Sequence, residues 1–157
     1  MVKVLFVCFG NICRSPTAEG VFRKLLRDHG LADRVTVGSA GTGGWHVGEP
    51  PDGRAVEAAG RRGVDLSGIR ARQAKRGDFK RFDYVVAMDV ENLRSLARIC
   101  PEGERHRLHL FLDFAPELGR RDVPDPFYGG GDGFEAVLDM VEAAAEGLLL
   151  HIREKHL

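Results

Sequence analysis

The feature that most constrains the fold is a short apolar segment near the N-terminus, Val2-Lys3-Val4-Leu5-Phe6-Val7, which contains a single charged residue. A segment of this length and composition is typical of a strand that is buried on both faces, as in a parallel sheet. A Gly-containing stretch then leads to Pro16, and apolar residues at helical spacing follow up to Gly30. The sequence therefore predicts a strand, a tight loop and a helix in direct succession.

The rest of the chain continues this alternation. Further strands are predicted at residues 34–39, 84–88 and 108–112, and further helices at residues 52–62, after Asp89, and from Asp132 onwards. Strands that alternate with helices indicate an α/β fold, here an open four-stranded parallel sheet with helices on both faces. Ligands of such sheets bind beyond the carboxyl ends of the strands, so the loop after the first strand is the predicted site.

Composition restricts the classes of function. The 157 residues suit one domain, predicted to span residues 1–157, and no apolar run reaches the ~20 residues of a membrane helix. Lys plus Arg and Asp plus Glu number 23 each, which argues against a dedicated nucleic-acid binder. Three cysteines fit a reducing compartment better than a disulfide scaffold, and no secretory leader is visible. We therefore expect a soluble, cytoplasmic protein that binds neither nucleic acid nor a membrane.

The predicted loop has a thiol and a guanidinium at its two ends, Cys8 and Arg14, with five residues between them. Backbone N–H groups of a Gly-containing loop and of a helix N-terminus bind phosphate well, and Arg14 adds a planar fork for two phosphate oxygens. The same positive environment favours the thiolate of Cys8, so a loop that holds phosphate also activates a nucleophile that can attack it. A Cys and an Arg at this spacing are a weak signal alone, and the buried strand and the Pro-led helix around them make the pattern specific.

A phosphoryl transfer to sulfur also requires an acid that protonates the departing oxygen. Asp125 is the candidate, because prolines on both sides stiffen its segment while the glycines at 129–131 let the chain bend back over a site. Considered by itself, Asp125 is better interpreted as an ordinary turn aspartate.

Taken together, these residues resemble the low-molecular-weight protein tyrosine phosphatases. The family signature Val-Cys-x-Gly-Asn-Ile-Cys-Arg-Ser-Pro is matched at residues 7–16. The similarity continues over nearly the whole chain, including Ser39-Ala40-Gly41-Thr42, Trp45-His46 and Asp125-Pro126. The resemblance implies a phosphatase that hydrolyses phosphotyrosine in proteins, and small aryl phosphates, and releases inorganic phosphate without a metal or other cofactor.

The resemblance also implies roles for the residues of the loop. Cys8 attacks phosphorus to form a phosphocysteine, and Asp125 acts first as general acid and then as general base. Ser15 donates a hydrogen bond to the Cys8 sulfur. The Arg14 side chain and backbone N–H groups of the loop bind the phosphate oxygens. The implied N–H donors are Phe9, Gly10, Asn11, Ile12, Cys13 and Arg14.

Residues around the loop are implied to support it or to receive the substrate. Asn11, which tolerates a left-handed backbone conformation, and Ser39 hold the loop open through side-chain hydrogen bonds. Trp45, Phe127 and Tyr128 form the walls of a slot deep enough for a phenyl ring, which favours aryl over shorter alkyl phosphates. Ordinary half-buried packing is the alternative for Trp45 and Tyr128.

The chain departs from the family pattern at two positions. Many relatives carry a His just before Ala-Arg-Gln that supports the loop asparagine, and residues 67–70 supply none, so the sequence leaves the orientation of Asn11 open. Relatives often have two tyrosines after Asp-Pro, and Phe127 replaces the first of them. This replacement removes a phosphorylation site and keeps an aromatic wall.

The three cysteines are expected to differ in role. Cys8 and Cys13 are candidates for a reversible disulfide that protects the nucleophile under oxidant, provided that their Cα atoms lie within about 7 Å. Cys100 lies on the apolar face of a predicted helix and is expected to be structural.

Three alternative functions stay open. A thiol-dependent arsenate reductase shares the fold but needs a Cys pair near the segment equivalent to residues 84–94, where this chain has none. Protein arginine phosphatases carry Thr in place of Ile12, whose branched side chain favours a flat phenyl group. A non-catalytic anion-binding module would use the loop without turnover, although Cys8 and Asp125 are both present. Zinc spacing is not visible, and His46 is expected to be an ordinary loop residue.

Overall fold

Strands and helices alternate along the chain. A computed structural model describes residues 1–128 and 132–157. The elements are β1 (Val2–Cys8), α1 (Arg14–Asp28), β2 (Val35–Gly41), α2 (Gly53–Arg61), α3 (Asp78–Arg81), β3 (Tyr84–Ala87), α4 (Val90–Ile99), β4 (Leu108–Leu110) and α5 (Asp132–His156). Among the described helices, none combines the length and the apolar character needed to span a membrane.

The four strands form one parallel sheet in the order β2-β1-β3-β4. At the carboxyl end of β1, Cys8 is paired with Gly41 of β2, and Val7 is paired with Ala87 of β3. The chain first adds β2 on one side of β1 and then crosses to add β3 on the other side. A crevice therefore opens beyond the carboxyl ends of β1 and β3, which is where the loop after β1 lies.

The side chains of β1 alternate between two apolar clusters, one on each face of the sheet. Phe6 belongs to the cluster formed with α1 and α5, where its ring packs against Phe22 with the centroids 5.7 Å apart. Leu5 belongs to the other cluster, together with Phe79 of α3 and Leu96 of α4. Helices thus cover both faces, and the predicted four-stranded parallel fold is confirmed.

Three elements differ from the sequence prediction. β2 ends at Gly41, two residues later than predicted. β4 ends at Leu110, two residues early, because a 3-10 turn at Phe111–Phe114 follows and buries Phe111 and Leu112. The sequence analysis does not predict α3, since a four-residue helix is too short to show a periodic pattern. The buried carboxylate of Asp78 stabilises the start of α3 by accepting the backbone N–H of Lys75 at 2.7 Å.

Candidate active site

Cys8 ends β1 and is almost fully buried, with 2% of its surface exposed. Its Sγ atom lies 3.0 Å from Oγ of Ser15 and accepts the backbone N–H of Asn11 at 3.2 Å. Ser15 is in the first turn of α1, whose unpaired N–H groups add partial positive charge beside the sulfur. The sulfur is therefore surrounded by groups that stabilise a negative charge.

The loop after Cys8 is held from outside through its carbonyl groups. Backbone N–H groups of surrounding segments donate to these carbonyls: Thr42 to Cys8 at 2.9 Å, Gly43 to Phe9 at 2.9 Å, and Asp52 to Ile12 at 2.8 Å. Since these carbonyls are satisfied on the outside, the N–H groups of the loop are left to its concave side. The end of β2 passes so close that a Cβ atom on Gly41 would lie 2.7 Å from the Phe9 carbonyl oxygen, which explains the glycine.

Asn11 fixes the shape of the loop. It has a φ of 58°, and it is the one non-glycine residue with a positive φ in the described part of the chain. Its Nδ2 donates to Oγ of Ser15 at 2.8 Å, and its Oδ1 accepts the backbone N–H of Arg72 at 3.0 Å. Arg72 is itself held by two hydrogen bonds of 3.0 Å to the buried carboxylate of Asp78. Ser15 and Arg72 thus set the orientation that the sequence leaves open.

Ser15 links Asn11 to the sulfur. Because its oxygen accepts from Asn11, its single hydrogen is donated either to Sγ of Cys8 at 3.0 Å or to the Ala40 carbonyl at 3.3 Å. Hydrogen bonds to a charged acceptor are roughly twice as strong as neutral ones, so a thiolate attracts this hydrogen more strongly than the carbonyl does. The Ser15 hydroxyl is therefore placed to turn its hydrogen towards the sulfur when Cys8 is a thiolate.

Ser39 lies one layer away from the loop. Its hydroxyl donates to Oε1 of Glu19 at 2.7 Å, and Glu19 also forms a 2.6 Å ion pair with Arg23. Arg23 in turn donates to the Val37 carbonyl at 2.7 Å. Among the described hydrogen bonds, Ser39 therefore joins β2 to α1, and the direct bond to the loop that the resemblance implies is not formed.

Arg14 donates to two hydrogen-bond acceptors, and the carboxylate of Asp125 lies near its guanidinium without a hydrogen bond. The side chain is 3% exposed, and Nη1 donates to Oδ2 of Asp89 at 2.6 Å and to the Val123 carbonyl at 2.9 Å. Nη2 lies 3.6 Å from Oδ2 of Asp125. Burial acts to lower the pKa of Arg14, but Cys8, Asp89 and Asp125 outweigh burial, so the pKa is raised. The guanidinium is a permanent cation beside the Cys8 sulfur.

Asp89 is a site residue that the sequence analysis names only as the residue before a predicted helix. Its Oδ1 accepts the backbone N–H of Asn92 at 2.7 Å and caps α4, while its Oδ2 accepts from Arg14. The sequence signal that could have placed Asp89 in the site was its position in the predicted topology. Asp89 closely follows a predicted buried strand, and the carboxyl ends of neighbouring parallel strands lie at one edge of the sheet.

Asp125 faces Arg14 from the segment of residues 123–127. Its Oδ1 accepts the backbone N–H of Phe127 at 3.0 Å, and its side chain is 35% exposed. The backbone N–H of Val123 donates to the Met88 carbonyl at 2.9 Å and attaches the segment to the end of β3. The carboxyl group is therefore partly open to solvent and is held beside Arg14, at the end of the loop that follows β1.

One pocket brings the three predicted catalytic residues together. It is lined by Cys8, Phe9, Gly10, Ile12, Cys13, Arg14, His46, Asp125 and Phe127. Phe127 is an expected wall, whereas Trp45 is 72% exposed and packs against Phe9, with the ring centroids 5.0 Å apart. Phe9 is thus the inner wall and Trp45 lies on its outer side. The side chain of Tyr128, the third expected wall, is outside the described part of the chain.

His46 is a pocket residue that the sequence analysis assigns to an ordinary loop. Its ring centroid lies 6.3 Å from that of Phe127, and its Nδ1 is 3.1 Å from Oε2 of Glu49. The Cδ2 atom is so close to the loop that a Cβ atom on Gly10 would lie 3.0 Å from it. Trp45-His46 is one of the segments that resemble the family, and this match is the sequence signal that could have identified His46.

Cys13 also lines the pocket. Burial, and then the charges of Asp52, Cys8 and Asp125, raise the pKa of the Cys13 thiol to about 12. Cys13 is therefore a neutral thiol at physiological pH. Within residues 1–128 and 132–157, no group of three or more His, Cys, Asp or Glu side chains is arranged to hold a metal ion.

A buried thiol and an arginine lie in one loop, between a parallel strand and a helix N-terminus, and such an arrangement suits the binding of an anion. The family model for the low molecular weight phosphotyrosine protein phosphatases matches residues 3–157. The low molecular weight protein-tyrosine-phosphatase of Streptomyces coelicolor is 49% identical over 156 residues, which cover 98% of this chain and 94% of that protein. The relative YfkJ of Bacillus subtilis is 42% identical, with 99% and 98% covered.

Solved structures agree with these relatives. A protein tyrosine phosphatase from Entamoeba histolytica, with Hepes in its active site, matches at a TM-score of 0.95 and 40% identity, with 100% of both chains covered. Wzb from Vibrio vulnificus, in complex with benzylphosphonate, matches at 0.84 and 31% identity, with 96% of this chain and 98% of Wzb covered. The chain belongs to the low molecular weight protein tyrosine phosphatases, a family of hydrolases, as the resemblance in the sequence predicts.

Proposed function

We propose that this phosphatase hydrolyses phosphotyrosine in proteins, and small aryl phosphates, through a phosphocysteine on Cys8. The observation that carries the proposal is the placement of three groups in one pocket. A buried sulfur has two hydrogen-bonding neighbours, the Arg14 cation lies in the same loop, and the carboxyl of Asp125 is 3.6 Å from that cation. These are a nucleophile, a group that binds the transferred phosphoryl, and an acid.

In the first step the Cys8 thiolate attacks phosphorus, and a bond between Sγ and phosphorus forms as the bond to the phenolic oxygen breaks. Asp125 gives its proton to that oxygen, so tyrosine leaves as a neutral phenol. Arg14 and the loop N–H groups bind the three equatorial oxygens, where negative charge is greatest in the transition state. Asp89 orients the fork of Arg14 for this task.

In the second step a water molecule attacks phosphorus and the bond to Sγ breaks. The Asp125 carboxylate accepts the proton of the water, and inorganic phosphate is released. The leaving group is now the Cys8 thiolate, to which Ser15 donates its hydrogen. The same hydroxyl thus assists both the formation and the departure of the thiolate.

An aryl substrate fits the walls of the pocket. The aromatic rings of Phe9 and Phe127 and the branched side chain of Ile12 line it, and such surfaces favour a flat phenyl ring. The structure of Wzb contains benzylphosphonate, which has a phenyl ring one carbon from phosphorus. These observations favour phosphotyrosine over phosphoarginine.

We also propose that residues 1–157 act as one phosphatase domain, since one family model spans residues 3–157. A cytoplasmic location and catalysis without a metal belong to the same proposal. The three cysteines are free thiols, which a reducing compartment preserves, and Arg14 supplies the positive charge that the transferred phosphoryl needs.

The test is the hydrolysis of phenyl phosphate and of a phosphotyrosine peptide in the presence of a chelator. Cys8→Ser should abolish activity, while the matched variant Cys100→Ser, which changes a half-buried thiol at the end of α4, should keep it. Acid quenching during turnover should trap phosphate on the peptide that contains Cys8. Activity that survives Cys8→Ser would contradict the mechanism, and an inactive wild type that binds phosphate tightly would favour an anion-binding module.

A further inference from the structure

The segment that carries Asp125 is held at both ends by arginines. At one end Nη1 of Arg14 donates to the Val123 carbonyl at 2.9 Å, and at the other Nη2 of Arg54 donates to the Phe127 carbonyl at 3.1 Å. Arg14 belongs to the phosphate loop. Arg54 is not among the residues that line the pocket, and the proposed mechanism gives it no task.

Arg54 is tied to the phosphate loop through Asp52. The Asp52 carboxylate accepts Nε of Arg54 at 3.1 Å and Nη2 at 3.0 Å, and it also caps α2 through the backbone N–H of Arg54 at 2.8 Å. The backbone N–H of Asp52 donates to the Ile12 carbonyl at 2.8 Å. The guanidinium therefore has a defined position relative to the loop, although about half of the side chain is exposed.

Arg54 also contacts the ring of Phe127. Its Cζ atom lies 5.4 Å from the Phe127 ring centroid and 4.9 Å from that of the buried Phe134, distances at which a cation is attracted to an aromatic ring. Arg54 thus fixes both the carbonyl and the ring of Phe127. The backbone N–H of Phe127 in turn holds Oδ1 of Asp125 at 3.0 Å, so a displacement of Phe127 displaces the Asp125 carboxyl.

We propose that Arg54 is a positioning residue for proton donation: by holding Phe127, it places the Asp125 carboxyl where the oxygen of the leaving group arrives. The inference rests on the proposed function, because it presupposes that Asp125 is the acid. Since Arg54 acts through Asp125, its effect must grow with the need of the leaving group for a proton. A residue with only a structural role would slow all substrates alike.

The test compares kcat/KM for phenyl phosphate, whose leaving group resembles tyrosine, with that for p-nitrophenyl phosphate, whose leaving group departs readily as an anion. General acid catalysis typically contributes about 100-fold to 10,000-fold, and a misplaced acid retains part of it. Arg54→Ala should therefore lower kcat/KM for phenyl phosphate by about 10-fold or more, and for p-nitrophenyl phosphate by less than about 3-fold. The ratio kcat/KM is used because it reports the step in which the phenol leaves.

Two further variants make the test specific. In an Asp125→Asn background, Arg54→Ala should change kcat/KM for either substrate by less than about 2-fold, because the acid is already absent. Arg61→Ala is the matched control, since Arg61 lies on the same helix and pairs with Glu57 and Glu135 instead. Arg61→Ala should leave kcat/KM unchanged for both substrates.

Equal losses for the two substrates, or a further loss in the Asp125→Asn background, would overturn the role of Arg54. If Arg54→Ala fails to fold, Arg54→Lys decides the question, because it keeps the charge and removes the fork that joins Asp52 to Phe127. Arg54→Lys must then lose more kcat/KM for phenyl phosphate than for p-nitrophenyl phosphate, as expected of Arg54→Ala. Activity that survives Cys8→Ser would instead refute the proposed function, and that variant reveals this result without any change at Arg54.

Discussion

Replacing Asp89 by alanine tests whether this carboxylate holds Arg14 in the site or serves only as a helix cap. The side chain makes two interactions, with Nη1 of Arg14 at 2.6 Å and with the backbone N–H of Asn92 at 2.7 Å. A hydrogen bond to a charged group contributes about 2 kcal/mol to stability, and a helix N-cap about 1 kcal/mol. Asp89→Ala should therefore lower the free energy of unfolding by about 3 kcal/mol.

Two variants separate these contributions. Asp89→Ser keeps a capping oxygen and loses the contact with Arg14, so we expect a loss of about 2 kcal/mol. Asp122→Ala is the matched control, because the exposed Asp122 accepts the N–H of Val90 at 2.9 Å, at the same end of α4, and the structure records no bond from it to Arg14. Its loss should not exceed about 1 kcal/mol.

Urea unfolding followed by far-UV circular dichroism measures these differences. Activity provides the second readout: a misplacement of about 1 Å in a positioning group costs up to about 100-fold. The Asp89→Ser and Asp89→Ala variants should therefore lose on the order of 10-fold or more in kcat/KM for phenyl phosphate, and Asp122→Ala should not. A fully active Asp89→Ser variant, or equal stability losses for Asp89→Ala and Asp122→Ala, would refute the reasoning.

Three other residues have effects that simple measurements can check. Asn11→Ala should be less stable to urea than Asn11→Gly by about 1 kcal/mol, because both variants lose the side-chain bonds and only glycine accepts the positive φ freely. The pKa of Cys13 is about 12 in the folded protein, above its ordinary value of 9.0. The stability that the neutral thiol contributes below pH 9 is therefore lost as the pH rises towards 12. The Tm of Cys13→Ala should fall less steeply than that of the wild type over this pH range. Burial lowers the pKa of His109 from its ordinary 6.5, so stability present above pH 6.5 is lost as the pH falls below it; parallel Tm profiles for the wild type and His109→Phe would contradict this.

The fold could be predicted because its signals are local. The apolar run of β1 and the helical spacing after Pro16 lie within single segments, and alternation of such segments leaves few arrangements other than a parallel sheet. The same locality made Cys8 and Arg14 recognisable, since both belong to one loop. α3 was not predicted because its four residues make little more than one helical turn, so no repeat of the ~3.6-residue period can show in the sequence.

The contacts that orient the site could not be predicted, because they join distant segments. Asp89 and Arg14 are 75 positions apart, and Arg72 and Asn11 are 61 apart. Which of several acidic or basic residues reaches the loop depends on the strand order and on the exact ends of β1 and β3. The placement of Trp45 outside Phe9 likewise depends on the path of a loop, for which periodicity supplies no signal.

The conformation of the loop between Cys8 and Arg14 therefore depends on contacts with residues outside the loop. Within the signature, Asn11 bonds to Ser15, but its second contact comes from Arg72, which Asp78 of α3 immobilises. The Ile12 carbonyl is held by the backbone of Asp52. A chain that carried residues 7–16 without these partners would contain the same thiol and guanidinium. Its loop would lack the hydrogen bonds that stabilise the left-handed conformation of Asn11 and direct the carbonyl groups outward. The signature supplies the thiol and the guanidinium of the proposed mechanism, and segments remote in sequence determine whether these groups converge on one site.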